Sequence, residues 1–168
     1  MKTYLLIIGL LFQVLLPGCK VEYSFTGASI PPEAEYVSVQ YFPNKASIVN
    51  PDLSQYFTEE LRDRFTSQTR LQLTDGTGDL NFEGYISDYS VKPIAIQGDE
   101  TAAKNRLTIT VKVKYTNIID PKQDFDISFS AYDDYESSES LDAVEDDLME
   151  TIVNQLTEDI FNKSVANW

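Results

Sequence analysis

The chain has 168 residues, with 13 basic and 27 acidic side chains and a formal charge of −14 at pH 7; such a field repels nucleic acid and anionic lipid on average, so any anion site must be local. It contains no histidine and one cysteine. That composition removes the usual general base near neutral pH, the commonest zinc ligand, the imidazole-dependent triads and any internal disulfide.

Lys2 precedes an apolar run from Tyr4 to Leu16, and Pro17, Gly18 and Cys19 follow, which is the order of an export signal. The run is shorter than the roughly 20 residues a spanning helix needs. Leu16-Pro17-Gly18-Cys19 resembles the lipobox of bacterial lipoproteins, with Pro17 an unusual middle residue. Residues 1–18 are therefore expected to be a cleaved signal peptide and Cys19 to carry the lipid. A lone thiol in an exported chain needs such a role, because it has no partner for a disulfide. Cleavage removes one basic residue, Lys2, and leaves about 150 residues, enough for one domain with a proper core.

Residues 19–33, punctuated by Gly27, Pro31 and Pro32, read as a lipidated tether ahead of a domain at 34–168. The run from Tyr36 to Phe42 is rich in strand-forming residues, with Val37, Val39 and Tyr41 on one side. Asn50 then offers a helix cap, Pro51 suits the first turn, and Leu53, Phe57, Leu61 and Phe65 recur every four residues, predicting a helix over about 51–67. Beyond the Gly76/Gly78 turn, Leu80, Phe82, Gly84 and Ile86 alternate with polar residues until the phase shifts towards Tyr89 and Val91. A bulge near Asp88 accounts for that shift. Residues 93–103 read as a polar loop. Leu107, Ile109, Val111, Val113 and Tyr115 alternate next, and Phe125, Ile127, Phe129 and Ala131 follow the turn at Asp120-Pro121. Last comes a helical stripe, Leu141, Val144, Leu148, Ile152, Leu156 and Ile160. Its acidic amino-terminal half suits the helix dipole and reads as a solvated face.

The order is thus β-α-β-β-β-α. It predicts an α+β two-layer sandwich, with both helices on one face of a four-stranded sheet whose last three strands form an antiparallel meander. Catalytic motifs are missing. Gly76 and Gly78 are not followed by a helix as a phosphate loop requires, Asp75–Asp79 lacks the ligand spacing of a calcium loop, and no carboxylate pair stands out from the acidic background. The sequence points to no enzyme and no cofactor.

One constellation stands out against the acidic balance. Lys104, Arg106, Lys112 and Lys114 share parity with Thr108 and Thr110, opposite the apolar side chains of their strand. They are a candidate contact for phosphate or carboxylate groups of a glycolipid or for acidic residues of a partner. The alternative, which the sequence favours, is cross-strand pairing: a hairpin pivoting at Asp120-Pro121 sets Lys114 near Asp126, with Glu83 and Asp124 as further neighbours.

Val39-Gln40-Tyr41-Phe42-Pro43-Asn44, the stretch from Asn50 to Leu61, Ser67-Gln68-Thr69-Arg70-Leu71, and the ending Glu158 to Lys163 with Asn167-Trp168 together resemble the LptE family of lipopolysaccharide-assembly lipoproteins. The resemblance covers nearly the whole mature chain. It implies two helices on a four-stranded sheet and a non-enzymatic role: an outer-membrane lipoprotein that plugs the LptD β-barrel, assists its assembly and helps lipopolysaccharide reach the outer leaflet. It assigns no residue roles, and the acidic balance favours barrel docking over direct lipopolysaccharide binding. Lys20 is not the aspartate that holds many lipoproteins at the inner membrane, so the expected location is the periplasmic side of the outer membrane. A lipoprotein that binds a glycan or small ligand directly is the alternative.

Overall fold

The structure, a computed structural model, describes residues 30–94 and 104–165. The predicted signal peptide, Cys19 and most of the tether lie outside the described residues, as do residues 95–103 of the predicted polar loop. The elements are β1 (Tyr36–Val39), α1 (Leu53–Gln68), β2 (Gln72–Leu73), β3 (Leu80–Ile94), β4 (Lys104–Asn117), β5 (Phe125–Glu136) and α2 (Leu141–Val165). A short 3-10 turn, Pro121–Gln123, joins β4 to β5. Among the described residues no helix is long and apolar enough to cross a membrane.

The two-layer α+β arrangement is the predicted one, but the sheet has five strands, in the order β2-β1-β3-β4-β5. The fifth, β2, pairs parallel with β1 through two residues only. A two-residue strand has no alternation to read, and only its distant partner defines it. β1 also runs parallel to β3, whereas β3, β4 and β5 form the expected antiparallel meander. The register of β3 against β4 shifts between Ile86 and Asp88, so the predicted bulge is present, with Ser87 as the extra residue. It resets the phase so that Ile86 and Tyr89 are both buried.

The helices cover one face. Phe65 of α1 meets Phe82 of β3 at 4.6 Å between ring centroids and Phe161 of α2 at 5.2 Å. The aromatic row continues across the sheet through Tyr115 to Phe125, at 4.8 and 5.0 Å. Such pairs add roughly 0.5–1.5 kcal/mol each beyond area burial. The alternating residues Leu107, Ile109, Val111 and Val113 are fully buried beneath the helices. The Tyr115 hydroxyl is also buried and has no hydrogen-bond partner among the described residues.

Local chemistry differs from expectation in two places. Val37 and Val39 point into the core, but Tyr41 is 56 % exposed and Phe42 is buried in its stead. The strand ends at Val39, and the Phe42 amide donates instead to the buried Thr58 hydroxyl of α1. Asn50 does cap α1: its side-chain oxygen accepts from the amides of Asp52 and Leu53. Regular α-helix runs from Leu53, and Pro51 and Asp52 form the turn that Asn50 closes.

Candidate functional site

Alternation along β4 puts Lys104, Arg106, Lys112 and Lys114 on the face away from the helices, with Thr108 and Thr110 between the two pairs. Each cation meets a carboxylate. Lys104 reaches Glu136 at 3.5 Å, and Lys112 reaches Asp126 at 2.8 Å and also donates to the Asp126 carbonyl. Lys114 reaches Glu83 at 2.5 Å. Arg106 closes a fork on Asp134, with Nε to Oδ1 at 2.7 Å and Nη2 to Oδ2 at 2.9 Å. Its guanidinium also stacks on the Tyr132 ring, 3.6 Å from the centroid.

These pairs shift proton affinities in the expected directions. The hydrogen bonds from Arg106 hold the Asp134 carboxyl below its ordinary value, and the same bonds raise the affinity of Arg106. The Glu83 carboxylate likewise raises the affinity of Lys114.

The register sets Lys114 opposite Asp126, as the hairpin argument predicted, but its ammonium turns towards β3 while Lys112 takes Asp126. Among the described residues Asp124 pairs with no cation; its carboxylate accepts the Asn117 amide. The partners of Lys104 and Arg106 were not foreseen. The register that faces Lys114 with Asp126 also faces Arg106 with Asp134 and Lys104 with Glu136, so extending it along the hairpin reveals them. Tyr132 has a weaker signal, since it stands opposite Thr108 rather than Arg106.

Two concavities open on this outer face. One, of about 450 Å³, is lined by Glu83, Gly84, Tyr85, Lys112, Lys114 and Asp126. The other, of about 470 Å³, is bounded by the Asp75–Thr77 turn and lined by Ser38, Gln40, Asn81 and Thr116 together with Phe82 and Ile118. Asn81 is occupied in holding that turn, exchanging hydrogen bonds with Gly78. Asp79 is likewise committed, accepting from the amides of Glu35 and Tyr36. Among the described residues there is no group of three or more side chains arranged to hold a metal ion.

The acidic start of α2 is mostly solvated; Asp142, Asp146 and Asp147 are exposed. Glu145 is the exception, accepting from the Tyr89 hydroxyl and the Asn50 amide.

No curated protein sequence matches the chain significantly. Among solved structures, the chain is similar to lipoprotein B from Nitrosomonas europaea, with TM-score 0.49 and 11 % identity over 84 % of this chain and 87 % of that one. It is also similar to a minor lipoprotein from Acinetobacter baumannii, with TM-score 0.42 and 15 % identity over 77 % and 91 %. A hypothetical protein from Chlamydia trachomatis gives 0.49 and 14 % over 80 % and 99 %. Likenesses at this level carry no argument about function. The family comparison is decisive instead: residues 34–164 match the model described as LptE, lipopolysaccharide-assembly, and the chain belongs to that family.

Proposed function

We propose that the chain is a non-enzymatic outer-membrane lipoprotein, anchored through lipid on Cys19 at the periplasmic side, that docks in and plugs an LptD-type β-barrel and so serves lipopolysaccharide assembly. The family match over residues 34–164 carries this reading. The lipobox-like segment ending at Cys19 supports the anchor, which raises the effective concentration of the domain near any membrane partner.

Direct contact with lipopolysaccharide is the weaker half. Lys104, Arg106, Lys112 and Lys114 remain the candidate anion contact, but each already faces a carboxylate within 4 Å. A phosphate group has to compete with that partner or displace it.

The test is affinity purification of the tagged, lipidated chain from separated outer membranes under mild detergent. Recovery of a large β-barrel protein is expected; recovering none defeats docking. Replacing Lys112 and Lys114 with Gln tests the stripe, with glycolipid recovery lowered if the cations contact it. A second reading, direct glycan binding, is favoured by the cleft of about 470 Å³, where polar side chains stand beside Phe82 and Ile118. It predicts that the Cys19→Ala chain binds lipopolysaccharide oligosaccharide with no barrel present.

A further inference from the structure

β5 ends the sheet, and among the described residues nothing pairs with its outer edge. Its twelve residues pair with β4 from Phe125 to Glu136 without a register shift, so the far side offers a row of backbone donors and acceptors that runs to Asp133, where the Asp134 amide is taken by the Asp133 carboxylate. Edge strands are ordinarily blunted by lysine, proline, bulges or shortness. Residues 125–136 contain no lysine, arginine or proline, and no bulge interrupts them; an inward-pointing charge stands only at the far end, where Asp133 lies opposite Leu107. The other edge, β2, is blunted by its length of two residues.

Both faces beside this edge are unfinished. On the helix side, Ile127 is 38 % exposed and Phe125 and Phe129 are only half-buried, while their neighbours Val111 and Val113 on β4 are fully buried. On the outer side, one rung alternates in charge across three strands. Glu83 of β3 stands opposite Lys114 of β4, which stands opposite Asp126 of β5. Arg106 and Lys104 stand opposite Asp134 and Glu136 in the same way. These three rungs stop on an anion at the edge, whereas the Lys112 rung stops on Ser128, and Arg106 faces Lys92 on its β3 side.

The geometry points to β5 as a docking strand: its free edge pairs with an extended segment of the partner protein that lays apolar side chains against Ile127 and Phe129 and sets lysine or arginine beside Asp126 and Asp134. This rests on the docking reading and names the surface that docking uses. In strand addition the backbone hydrogen bonds supply affinity and the alternating side chains supply specificity. A second copy of this chain fits poorly. Antiparallel self-pairing centred on Phe129, Ser130 or Ala131 opposes Asp124 to Asp134, Asp126 to Asp134, or Asp126 to Glu136. Like charges directly opposed destabilise a strand pair.

The experiment uses the full-length lipidated chain in outer membranes. A benzoylphenylalanine photocrosslinker replaces Ser128 or Ser130 on the edge, or Gln55 or Asp63 on the exposed side of α1. In parallel, Ile127→Lys places an inward charge on the edge and Ile127→Val keeps it apolar. Edge positions are expected to crosslink to the co-purified barrel protein and helix positions not to. Ile127→Lys should lower its recovery by about tenfold or more, as an edge-blocking charge does, with Ile127→Val near wild type and the thermal midpoint of both variants preserved. Crosslinks only from α1, crosslinks to a second copy, or equal recovery with Ile127→Lys overturn the edge assignment and leave docking standing. Recovery of no barrel protein by the wild-type chain overturns both.

Discussion

The ring of Phe42 lies where a side chain on Gly84 would stand. A Cβ on Gly84 would come within 2.7 Å of Phe42 Cε1 and closer still to the Lys112 carbonyl oxygen. The chain after β1 can therefore fold its aromatic residue over β3 only because β3 is bare at that point. Phe42 itself is buried and packs edge-on against Phe57 of α1, 5.1 Å between centroids.

Gly84→Ala should therefore destabilise the domain by about 1–3 kcal/mol through overpacking. The effect is expected in the denaturant midpoint with an unchanged slope. A stable Gly84→Ala chain with the wild-type midpoint would show that both Phe42 and the β4 backbone at Lys112 yield freely.

Tyr89 and Glu145 tie β3 to the first turns of α2, with Asn50 as the second donor to the same carboxylate. Tyr89→Phe should cost about 1–2 kcal/mol, since the carboxylate keeps one of its two donors.

Burial, reinforced by Glu145, pushes the Tyr89 hydroxyl well above its ordinary value, and burial does the same to Tyr115. A folded-state value raised above the unfolded one means stability that is complete below the unfolded tyrosine value, about 10, and is lost as pH rises beyond it. Unfolding followed by circular dichroism should thus show weakening above that pH, with some tyrosinate absorbance appearing only as the chain unfolds. Complete tyrosine ionisation in the folded chain would contradict this.

Asp134 behaves oppositely. Its lowered value in the fold means that its contribution is present above the unfolded aspartate range and disappears as pH falls through the folded value. Asp134→Asn should therefore show a small, salt-sensitive loss of stability at neutral pH and none in strong acid. The same variant releases Arg106 from its fork, so glycolipid recovery should rise if the stripe contacts phosphate and stay constant if it does not.

Cys19→Ser should move the protein from the membrane fraction to the soluble one and remove the lipid mass from the mature chain. Retention in the membrane fraction would locate the anchor elsewhere.

By itself the sequence determined the meander, both helices and a bulge near Asp88, because each depends on local periodicity: two residues for a strand, 3.6 for a helix, and a slipped phase where one residue is extra. It also placed the four cations on one face of β4. Only the tertiary structure decided that Tyr41 is exposed and Phe42 buried, since that depends on Thr58 and Gly84, which are distant in sequence. The same holds for β2, visible only beside β1, and for the choice of Glu83 over Asp126 by Lys114, a matter of rotamers between two nearby strands. The bare edge of β5 belongs there too. Alternation shows that a segment is a strand, but which strand stands last in a sheet is settled by which strands pair, and pairing is made across the fold rather than along the chain.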